Sequence, residues 1–268
     1  MNERYDPIMV TSRTPVIARA ARLLRAAGAH APNGASTTQL AADTGLARPT
    51  AHRLLVTLAD EGLMDRDSTS GRWNLGPELF LLGAGAGAGR RYDITDDARD
   101  LIDRVARETG ESAFLSARRG DETVCTHSQE GSFPLRSHVL HEGVRFPLGV
   151  ASAGLAILSH LPDGDVEAYL GRSNLSADWG DTHSESAIRR RIAATREKGY
   201  AVNPALLVEG SWGLGAAVFD HSGRPAWALS VTGVETRFGD VRRREMGALL
   251  LNTAHELSQR LRGHHTAR

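Results

Sequence analysis

The spacing of apolar positions in the first quarter of the chain predicts three helices. Between Pro15 and about Ala29 the apolar residues recur every three or four positions, as in an amphipathic helix. Ser36 and Gln39 match a capping box, and a glycine at position 45 suits the end of a helix, so a short second helix is expected over about 37–44. A third helix is expected from about Pro49 to Glu61, because proline fits the first turn and a glycine follows.

Two short strand-like stretches follow the third helix. Leu63–Arg66 and Arg72–Leu75 flank the turn-forming stretch Asp67–Gly71, which predicts a small hairpin, with a plain surface loop as the alternative. Helix, tight glycine turn, helix and hairpin together form the pattern of a winged helix-turn-helix, whose second helix normally enters the major groove of DNA. We assign residues 14–76 to this domain.

The third helix has one apolar face and one polar face. Ala51, Leu55 and Leu58 share the apolar face, and Arg53 points almost directly away from it. The N-terminus of this helix favours a phosphate through its amides and dipole, and a basic residue on the hairpin is a second candidate phosphate contact. A solvated face of an ordinary helical bundle is the alternative. The expected DNA contacts are Arg48, Pro49, Thr50, His52, Arg53, Thr57 and Arg72.

The rest of the chain predicts mixed helices and strands. Residues 77–92 are assigned to a connector, because the glycines between 83 and 89 disfavour an isolated helix, although close packing against another chain would permit one. Residues 93–263 form the second domain, of α+β class with an antiparallel sheet, because strands joined by hairpins alternate irregularly with helices. The expected helices are Ile94–Thr109, Ser152–Leu161, Glu185–Lys198 and Val241–Arg262, and the expected strands are Ser112–Ala117, Thr123–Ser128, Leu135–Leu140, Trp212–Phe219 and Ala226–Thr232.

Composition excludes several classes of protein. The 32 basic residues cancel the 32 acidic ones, so any DNA binding must rest on a local patch. One cysteine, Cys125, permits no intrachain disulfide and no cysteine cluster for zinc. The most apolar stretch, Leu79–Gly89, is about half as long as the ~20 residues of a membrane span. We therefore expect a cytoplasmic protein without a secretory signal and without contact to a membrane.

Catalytic and metal-binding interpretations are weak. Ser152 lacks the preceding glycine of a nucleophile elbow, and a lone Cys125 within a strand is typical of a core residue. His138 and His141 would face opposite sides of a strand, which disfavours a shared metal ion. We therefore expect neither an enzyme nor a cofactor or metal site.

Several motifs together resemble one family. In the first domain they are the stretches Thr50–Leu55, Leu58–Leu63 and Gly71–Pro77, and in the second they are Gly199–Val202, Gly223–Ala226 and Ala228–Gly233. This ordered series, from about residue 14 to 262, is similar to the isocitrate lyase regulator (IclR) family of bacterial transcription factors. The resemblance implies a winged helix-turn-helix, a linker helix and a GAF-like domain that binds a small, often carboxylate-bearing, effector. It also implies dimers formed through the DNA-binding part, which often pair into tetramers.

The resemblance also implies where the effector binds. The family's pocket corresponds here to the loop Leu148–Gly154, the polar pair Asn203 and Gly213, and the hydroxyls of Ser230 and Thr232. This chain departs from the family, which commonly has aspartate at position 203, cysteine at position 213, and His-Ala-Thr-Ala where residues 149–152 read Gly-Val-Ala-Ser.

The residues themselves are consistent with an acid-binding pocket. A loop that enters a helix gathers amide groups around a carboxylate, and Ser230 and Thr232 alternate on a strand so that both face one side. A neutral Asn203, with Gly213 beside Trp212, predicts an organic acid bulkier than a two- or three-carbon oxoacid, including aromatic acids. Alternatively, the hydroxyls satisfy backbone groups and Trp212 is core. The expected effector contacts are Leu148, Ala151, Ser152, Ala153, Gly154, Asn203, Trp212, Gly213, Ser230 and Thr232.

Two functions follow from these observations. The first is a transcriptional regulator that binds a near-palindromic operator as a homodimer or a dimer of dimers and responds to an organic acid. The second is a sensor whose helix-turn-helix makes protein contacts instead. Leu79–Leu82 and Gly83–Gly89 are candidates for part of the dimer contact, with a flexible linker of a monomer as the alternative.

Overall fold

Residues 15–85 and 94–266 are described by the computed structural model. The chain divides into two compact units, the first ending at Arg91 and the second beginning at Tyr92. The elements of the first unit are α1 (Val16–Ala29), α2 (Thr37–Thr44), α3 (Arg48–Asp60), β1 (Met64–Arg66), β2 (Trp73–Leu75) and α4 (Pro77–Gly85).

Local signals in the sequence explain the boundaries of α2. The Gln39 amide donates to the Ser36 hydroxyl at 3.2 Å, and the Ser36 amide donates to the Gln39 side chain at 2.9 Å, which forms the predicted capping box. Gly45 ends the helix with a φ of 64°, a left-handed conformation that glycine adopts without strain. Three helices and a two-stranded hairpin thus enclose a core that includes Leu23, Leu40 and Trp73.

The expected connector is helical over its first part. The helix α4 begins at Pro77, with Glu78 in its first turn, and continues to Gly85, so the interpretation from the glycines is wrong for this stretch and the linker helix implied by the family resemblance agrees with it. Proline and an acidic residue favour a helix start, which here outweighs the low helix propensity of the glycines. The remaining part of the predicted connector, residues 86–92, lies outside the described residues.

The second unit is built on one six-stranded antiparallel sheet, in the order β5-β4-β3-β8-β7-β6. This arrangement confirms the predicted α+β class. Its strands are β3 (Ser112–Arg119), β4 (Glu122–Gln129), β5 (Arg145–Pro147), β6 (Ala201–Pro204), β7 (Ser211–Phe219) and β8 (Pro225–Val234). Its helices are α5 (Thr95–Thr109), α6 (Ser152–Ser159), α7 (Asp163–Arg172), α8 (Leu175–Trp179), α9 (Glu185–Lys198) and α10 (Asp240–Thr266).

Alternation along the strands separates two hydrophobic cores. Leu229 and Val231 of β8 face α5 and α10, while Ala228 belongs to the core around α6 and α9. The polar residues Ser230 and Thr232 lie on the same face as Ala228 because side chains alternate along a strand. This face of the sheet therefore carries both apolar packing and polar groups.

Several parts of the second unit differ from the prediction, and the strand β5 is among the elements that were missed. Residues 135–140 form no strand, because the free edge of β4 is taken by β5 and by Gly143 and Val144, which hydrogen-bond to Cys125. The elements α7, α8 and the edge strand β6 were not predicted. These elements are short, and the polar residues in them interrupt any clear period.

Candidate functional site

The helix α3 presents a polar face that the first unit does not cover. Ala51, Leu55 and Leu58 are buried as predicted, and Arg53 and His52 are exposed. Within the described residues, no hydrogen bond or ion pair holds the Arg53 guanidinium. Its geometry therefore leaves it available to a base edge or a phosphate.

The N-terminus of α3 offers fewer free amides than the sequence suggests. The Thr50 amide donates to the Ala47 carbonyl at 2.8 Å, and Pro49 has no N–H. Only the Arg48 amide is left among the first three residues, so the expected amide cradle for a phosphate is reduced. The exposed Arg48 side chain and the helix dipole remain at this end. Farther along the helix, the Thr57 hydroxyl donates to the Arg53 carbonyl at 3.0 Å.

The hairpin, or wing, is fixed to the helices through Trp73. The Trp73 indole donates to the Thr37 hydroxyl at 2.9 Å, and the Arg66 guanidinium lies 5.4 Å from the centre of the Trp73 ring. Arg72 donates to the Gly34 carbonyl at 2.9 Å, a partner within the unit that the sequence did not predict. Arg66 is thus a second exposed cation of the wing, absent from the predicted set.

A cavity of about 30 Å³ lies between the sheet and α6 in the second unit. Eight of the ten predicted effector contacts border it: Ala151, Ser152, Ala153, Asn203, Trp212, Gly213, Ser230 and Thr232. Eight further residues were not predicted: Ser116, Thr123, Val139, Leu140, Val144, Phe146, Leu207 and Ser211. Among these residues, the polar Ser116 and Thr123 are buried within strands of the sheet.

Leu148 and Gly154 do not border the cavity, which corrects the prediction for both. The Leu148 side chain is buried, and its carbonyl accepts a hydrogen bond from the Tyr169 hydroxyl at 2.7 Å. A Cβ atom at Gly154 would lie 3.2 Å from the Leu148 Cα atom. Both residues therefore serve the close packing of the loop against the start of α6.

Two hydroxyl groups in the cavity have no partner. Ser230 is 1% exposed, and neither its hydroxyl nor that of Thr232 forms a hydrogen bond within the described residues. The buried hydroxyls thus do not satisfy neighbouring backbone, which was the alternative interpretation of this pair. A buried hydroxyl without a partner is costly, so these groups favour a polar ligand at this position.

Asn203 holds two loops together beside the cavity. Its side-chain amide donates to the Val150 carbonyl at 2.7 Å, and its carbonyl oxygen accepts from the Leu206 amide at 3.1 Å. An aspartate cannot donate the first of these bonds. The neutral side chain at this position is therefore explained by loop geometry.

Trp212 and Gly213 do not jointly enlarge the cavity. Residues 212 and 213 face opposite sides of β7, and the Trp212 ring lies 6.3 Å from the Phe238 ring and 4.8 Å from the Arg243 guanidinium. A Cβ atom at Gly213 would lie 3.1 Å from the Ser152 hydroxyl oxygen, so Ser152 fills the space that glycine leaves. The expected widening of the pocket at this point is wrong.

Burial shifts the pKa values of two titratable groups of the second unit towards their neutral forms. Burial raises the pKa of Cys125 to about 12, which leaves its thiol unreactive. Burial also lowers the pKa of His183, whose ring nitrogen Nδ1 lies 3.0 Å from the Trp179 carbonyl oxygen. Among the described residues no group of three or more His, Cys, Asp or Glu side chains could hold a metal ion, and no helix is long and apolar enough to span a bilayer.

Comparisons with known proteins give consistent results. The IclR helix-turn-helix model matches residues 16–68, and the model for the C-terminal domain of IclR bacterial transcriptional regulators matches residues 87–259. The HTH-type transcriptional regulator BhcR of Paracoccus denitrificans is 30% identical over 227 residues, which cover 84% of this chain and 80% of that protein.

Solved structures match over almost the whole chain. An IclR transcriptional regulator from Alicyclobacillus acidocaldarius has a TM-score of 0.73 and 26% identity, covering 93% of this chain and 100% of that one. An IclR homologue from Microbacterium hydrocarbonoxydans, complexed with 4-hydroxybenzoate, has a TM-score of 0.72 and 21% identity, with coverages of 93% and 100%.

Proposed function

The chain belongs to the IclR family of bacterial transcriptional regulators, and we propose that a small organic acid controls its binding to a near-palindromic operator. In this proposal α3 enters the major groove with Arg53 towards the base edges, and the wing lies along the phosphates. The protein acts in the cytoplasm as a homodimer or a dimer of dimers.

The two unpartnered hydroxyls of Ser230 and Thr232 are the observation that carries the effector proposal. Both border the cavity, as do the first residues of α6, whose amides lack partners within their helix. A carboxylate accepts hydrogen bonds and is attracted to a helix N-terminus, so it satisfies both sets of donors. A purely apolar ligand would leave the donors without partners.

The cavity is too small for an aromatic acid as it stands. Its volume of about 30 Å³ has room for one or two water molecules. The residues Val139, Leu140 and Leu207 cover it from loops rather than from the sheet. We propose that these loops move outward to admit a ligand of the class of 4-hydroxybenzoate, the compound bound by the Microbacterium homologue.

Exposed apolar side chains of the first unit support self-association. Phe80, Leu81 and Leu82 of α4 are all exposed, and Phe80 is 78% exposed. Val16 and Ile17, at the start of α1, are exposed in the same unit. We propose that a second copy of the chain covers these residues, because a two-fold dimer would double the number of bases read.

Two measurements test the proposed function. In a mobility-shift assay at low salt, the protein should slow the migration of DNA fragments from the region upstream of its own gene and of adjacent genes. Added 4-hydroxybenzoate should change the fraction of DNA that is bound. Calorimetric titration should detect 4-hydroxybenzoate binding with higher affinity than glyoxylate or pyruvate. Absence of any DNA shift would favour the sensor without DNA binding, and tight binding of the small oxoacids alone would contradict the proposed effector class.

A further inference from the structure

One irregular segment crosses the mouth of the cavity. We call residues 131–144 the strap. Val139, Leu140 and Val144 of the strap border the cavity. In the described structure, residues 138–140 form no hydrogen bond to the sheet, so apolar contacts hold the middle of the strap over the cavity. Its position must therefore be fixed from its two ends.

A charged cluster around the buried Glu111 lies at the first end of the strap, and Arg242, 3.5 Å from the Glu111 carboxylate, belongs to it together with Arg237. Glu111 is 0% exposed, and both of its carboxylate oxygens accept hydrogen bonds from Arg237, at 2.6 and 2.7 Å. The same guanidinium donates to the Leu135 carbonyl of the strap at 3.0 Å and lies 4.3 Å from the centre of the Phe133 ring. Arg237 thus connects a core carboxylate to two residues of the strap.

Three glycines make room for this cluster. A Cβ atom at Gly233 would lie 2.2 Å from a Glu111 carboxylate oxygen, and one at Gly110 would lie 2.6 Å from the Phe133 ring. A Cβ atom at Gly131 would lie 2.3 Å from the Gly110 carbonyl oxygen. Side chains at these positions would displace the ion pair or the strap. The backbone of the unit is therefore shaped around the cluster.

Hydrogen bonds attach the rest of the strap, among them those from the Ser128 amide and hydroxyl to the Glu142 carboxylate. The Ser137 and Ser211 hydroxyls lie 2.6 Å apart, and Ser211 itself borders the cavity. At the far end, the Gly143 amide donates to the Cys125 carbonyl at 2.8 Å. An ion pair that loses hydration on burial contributes little net stability, so stability alone does not explain the Glu111–Arg237 pair.

We propose that Glu111 and Arg237 are positioning residues for effector binding, which hold the strap closed and set the rate at which the cavity opens. Neither residue borders the cavity, so they act through Phe133, Leu135 and the strap. This inference rests on the proposed function only for the identity of the ligand, because strap opening can be measured without one.

Cys125 provides a built-in reporter of opening. It is the one cysteine of the chain, it is 2% exposed, and its backbone is bonded to the end of the strap. Its thiol is unreactive while buried, so alkylation requires opening. The experiment measures the rate of Cys125 alkylation by iodoacetamide, a neutral reagent, in the full chain under native conditions, with mass spectrometry as the readout.

The variants separate strap opening from global unfolding. Arg237→Gln should increase the alkylation rate by about ten-fold or more, with little dependence on low urea concentrations, as expected for local opening. Ser137→Ala should increase it less. Arg260→Gln is the control, because Arg260 pairs with Asp100 and Glu256 in the same unit and makes no contact with the strap.

The double variant Glu111→Gln with Arg237→Gln addresses misfolding, because it leaves no unpaired carboxylate at position 111. It should fold, as judged by circular dichroism, and still show fast alkylation at Cys125. Alkylation at the wild-type rate in this variant, or an increase no larger than that of Arg260→Gln at matched stability, would overturn the proposal.

A second arm uses 4-hydroxybenzoate as the probe. We expect 4-hydroxybenzoate to slow the alkylation of Cys125 in the wild-type protein. We also expect it to dissociate about ten-fold faster from the Arg237→Gln variant. If the probe binds with an unchanged dissociation rate, Arg237 does not position the site. If the probe does not bind but Arg237→Gln still accelerates alkylation, the strap inference stands and the proposed effector class fails.

Discussion

At the scale of single residues, the contrast between satisfied and unsatisfied polar groups separates structural from functional side chains. The Ser159 hydroxyl is buried and donates to the Leu155 carbonyl at 2.7 Å, whereas the Ser230 hydroxyl is equally buried and has no partner in the described structure. The first contributes to stability and the second opposes it. Substitutions at these two serines should therefore have effects of opposite sign.

Ser230→Ala should leave the unliganded protein equally stable or up to about 1 kcal/mol more stable, because it removes a buried hydroxyl without a partner. Ser159→Ala, the matched control, should lower the free energy of unfolding by about 0.5–1.5 kcal/mol. Urea denaturation measures both. Calorimetry with 4-hydroxybenzoate should then show weaker binding to Ser230→Ala and to Thr232→Val, and unchanged affinity in both would place the ligand elsewhere.

Arg53→Ala should weaken binding to the operator by about 1–3 kcal/mol and binding to scrambled DNA much less, if Arg53 contacts a base edge. Arg72→Ala should weaken binding to operator and to scrambled DNA by similar amounts, because a residue of the wing contacts phosphates rather than bases. The variant also removes the hydrogen bond from Arg72 to the Gly34 carbonyl. Fluorescence anisotropy with the two DNAs at one salt concentration measures the difference. Equal losses for Arg53→Ala would identify a backbone contact only.

His183 should make the second unit less stable in mild acid. Burial lowers the pKa of His183 in the folded state, so the unfolded chain, with a histidine pKa of about 6.5, takes up a proton that the folded chain does not. The stability that the neutral, buried His183 provides is fully present above about pH 6.5, the pKa of histidine in the unfolded chain, and is lost as the pH falls below it. The difference in unfolding free energy between pH 7.5 and 5.5 should be smaller in His183→Gln, and an identical difference would exclude His183 as the cause.

At the scale of elements, α6 lies directly on the sheet because β7 carries glycine on the side that faces it. A Cβ atom at Gly215 would lie 2.7 Å from the Ser152 carbonyl oxygen and 3.0 Å from the Ala153 amide nitrogen. These are backbone atoms, which cannot move aside as a flexible side chain would. The position of the first turn of α6 over the cavity therefore depends on one missing methyl group.

Gly215→Ala should destabilise the second unit by about 1–3 kcal/mol and weaken acid binding, because it pushes α6 away from the sheet. Gly171→Ala in α7 is the control, since a Cβ atom there would meet no atom within 4 Å and alanine favours a helix. Thermal unfolding should show opposite shifts for the two variants. A stable Gly215→Ala variant with normal acid binding would contradict this account of α6.

The elements that the sequence predicted well have local signals. The capped start of α2 and the glycine that ends α5 at position 110 act within a few residues, so they are visible in the sequence alone. The strap and the strand β6 depend on contacts that lie far away in the chain, such as the bond between Arg237 and Leu135. Predicting the site was limited by the same cause, since Val139, Leu140 and Leu207 reach the cavity only through the tertiary fold.

At the scale of the whole molecule, the proposed function requires a DNA-binding unit and an effector-binding unit in one chain, and association between chains. Both units are predictable from the sequence, because each has its own pattern of apolar positions. In the proposed assembly, association depends on α4, whose apolar residues follow no clear helical period and are exposed at positions 80–82. We therefore expect the exposed Phe80 and Leu81 to be the residues on which the proposed assembly depends most.

Replacing Phe80 and Leu81 together by serine should shift the protein towards the monomer at micromolar concentration and weaken operator binding by more than ten-fold, because each half-site would bind alone. Sedimentation velocity measures the first effect and anisotropy the second. Val241→Ser, which changes an exposed apolar residue of the second unit outside the strap, is the control and should change neither. A wild-type protein that sediments as a monomer would contradict the proposed assembly.

The hydroxyls of the cavity floor lie on β8, which pairs with β3 on one side and β7 on the other. The floor is thus held in a continuous ladder of backbone hydrogen bonds, while Val139, Leu140 and Leu207 of the cover lie on irregular loops. The floor and the cover should therefore differ in how many substitutions they tolerate, which matters if the ligand specificity is to be changed for use as a biosensor. Libraries that randomise the cover should retain folded, acid-binding members, whereas libraries that randomise the floor should lose most of them to unfolding.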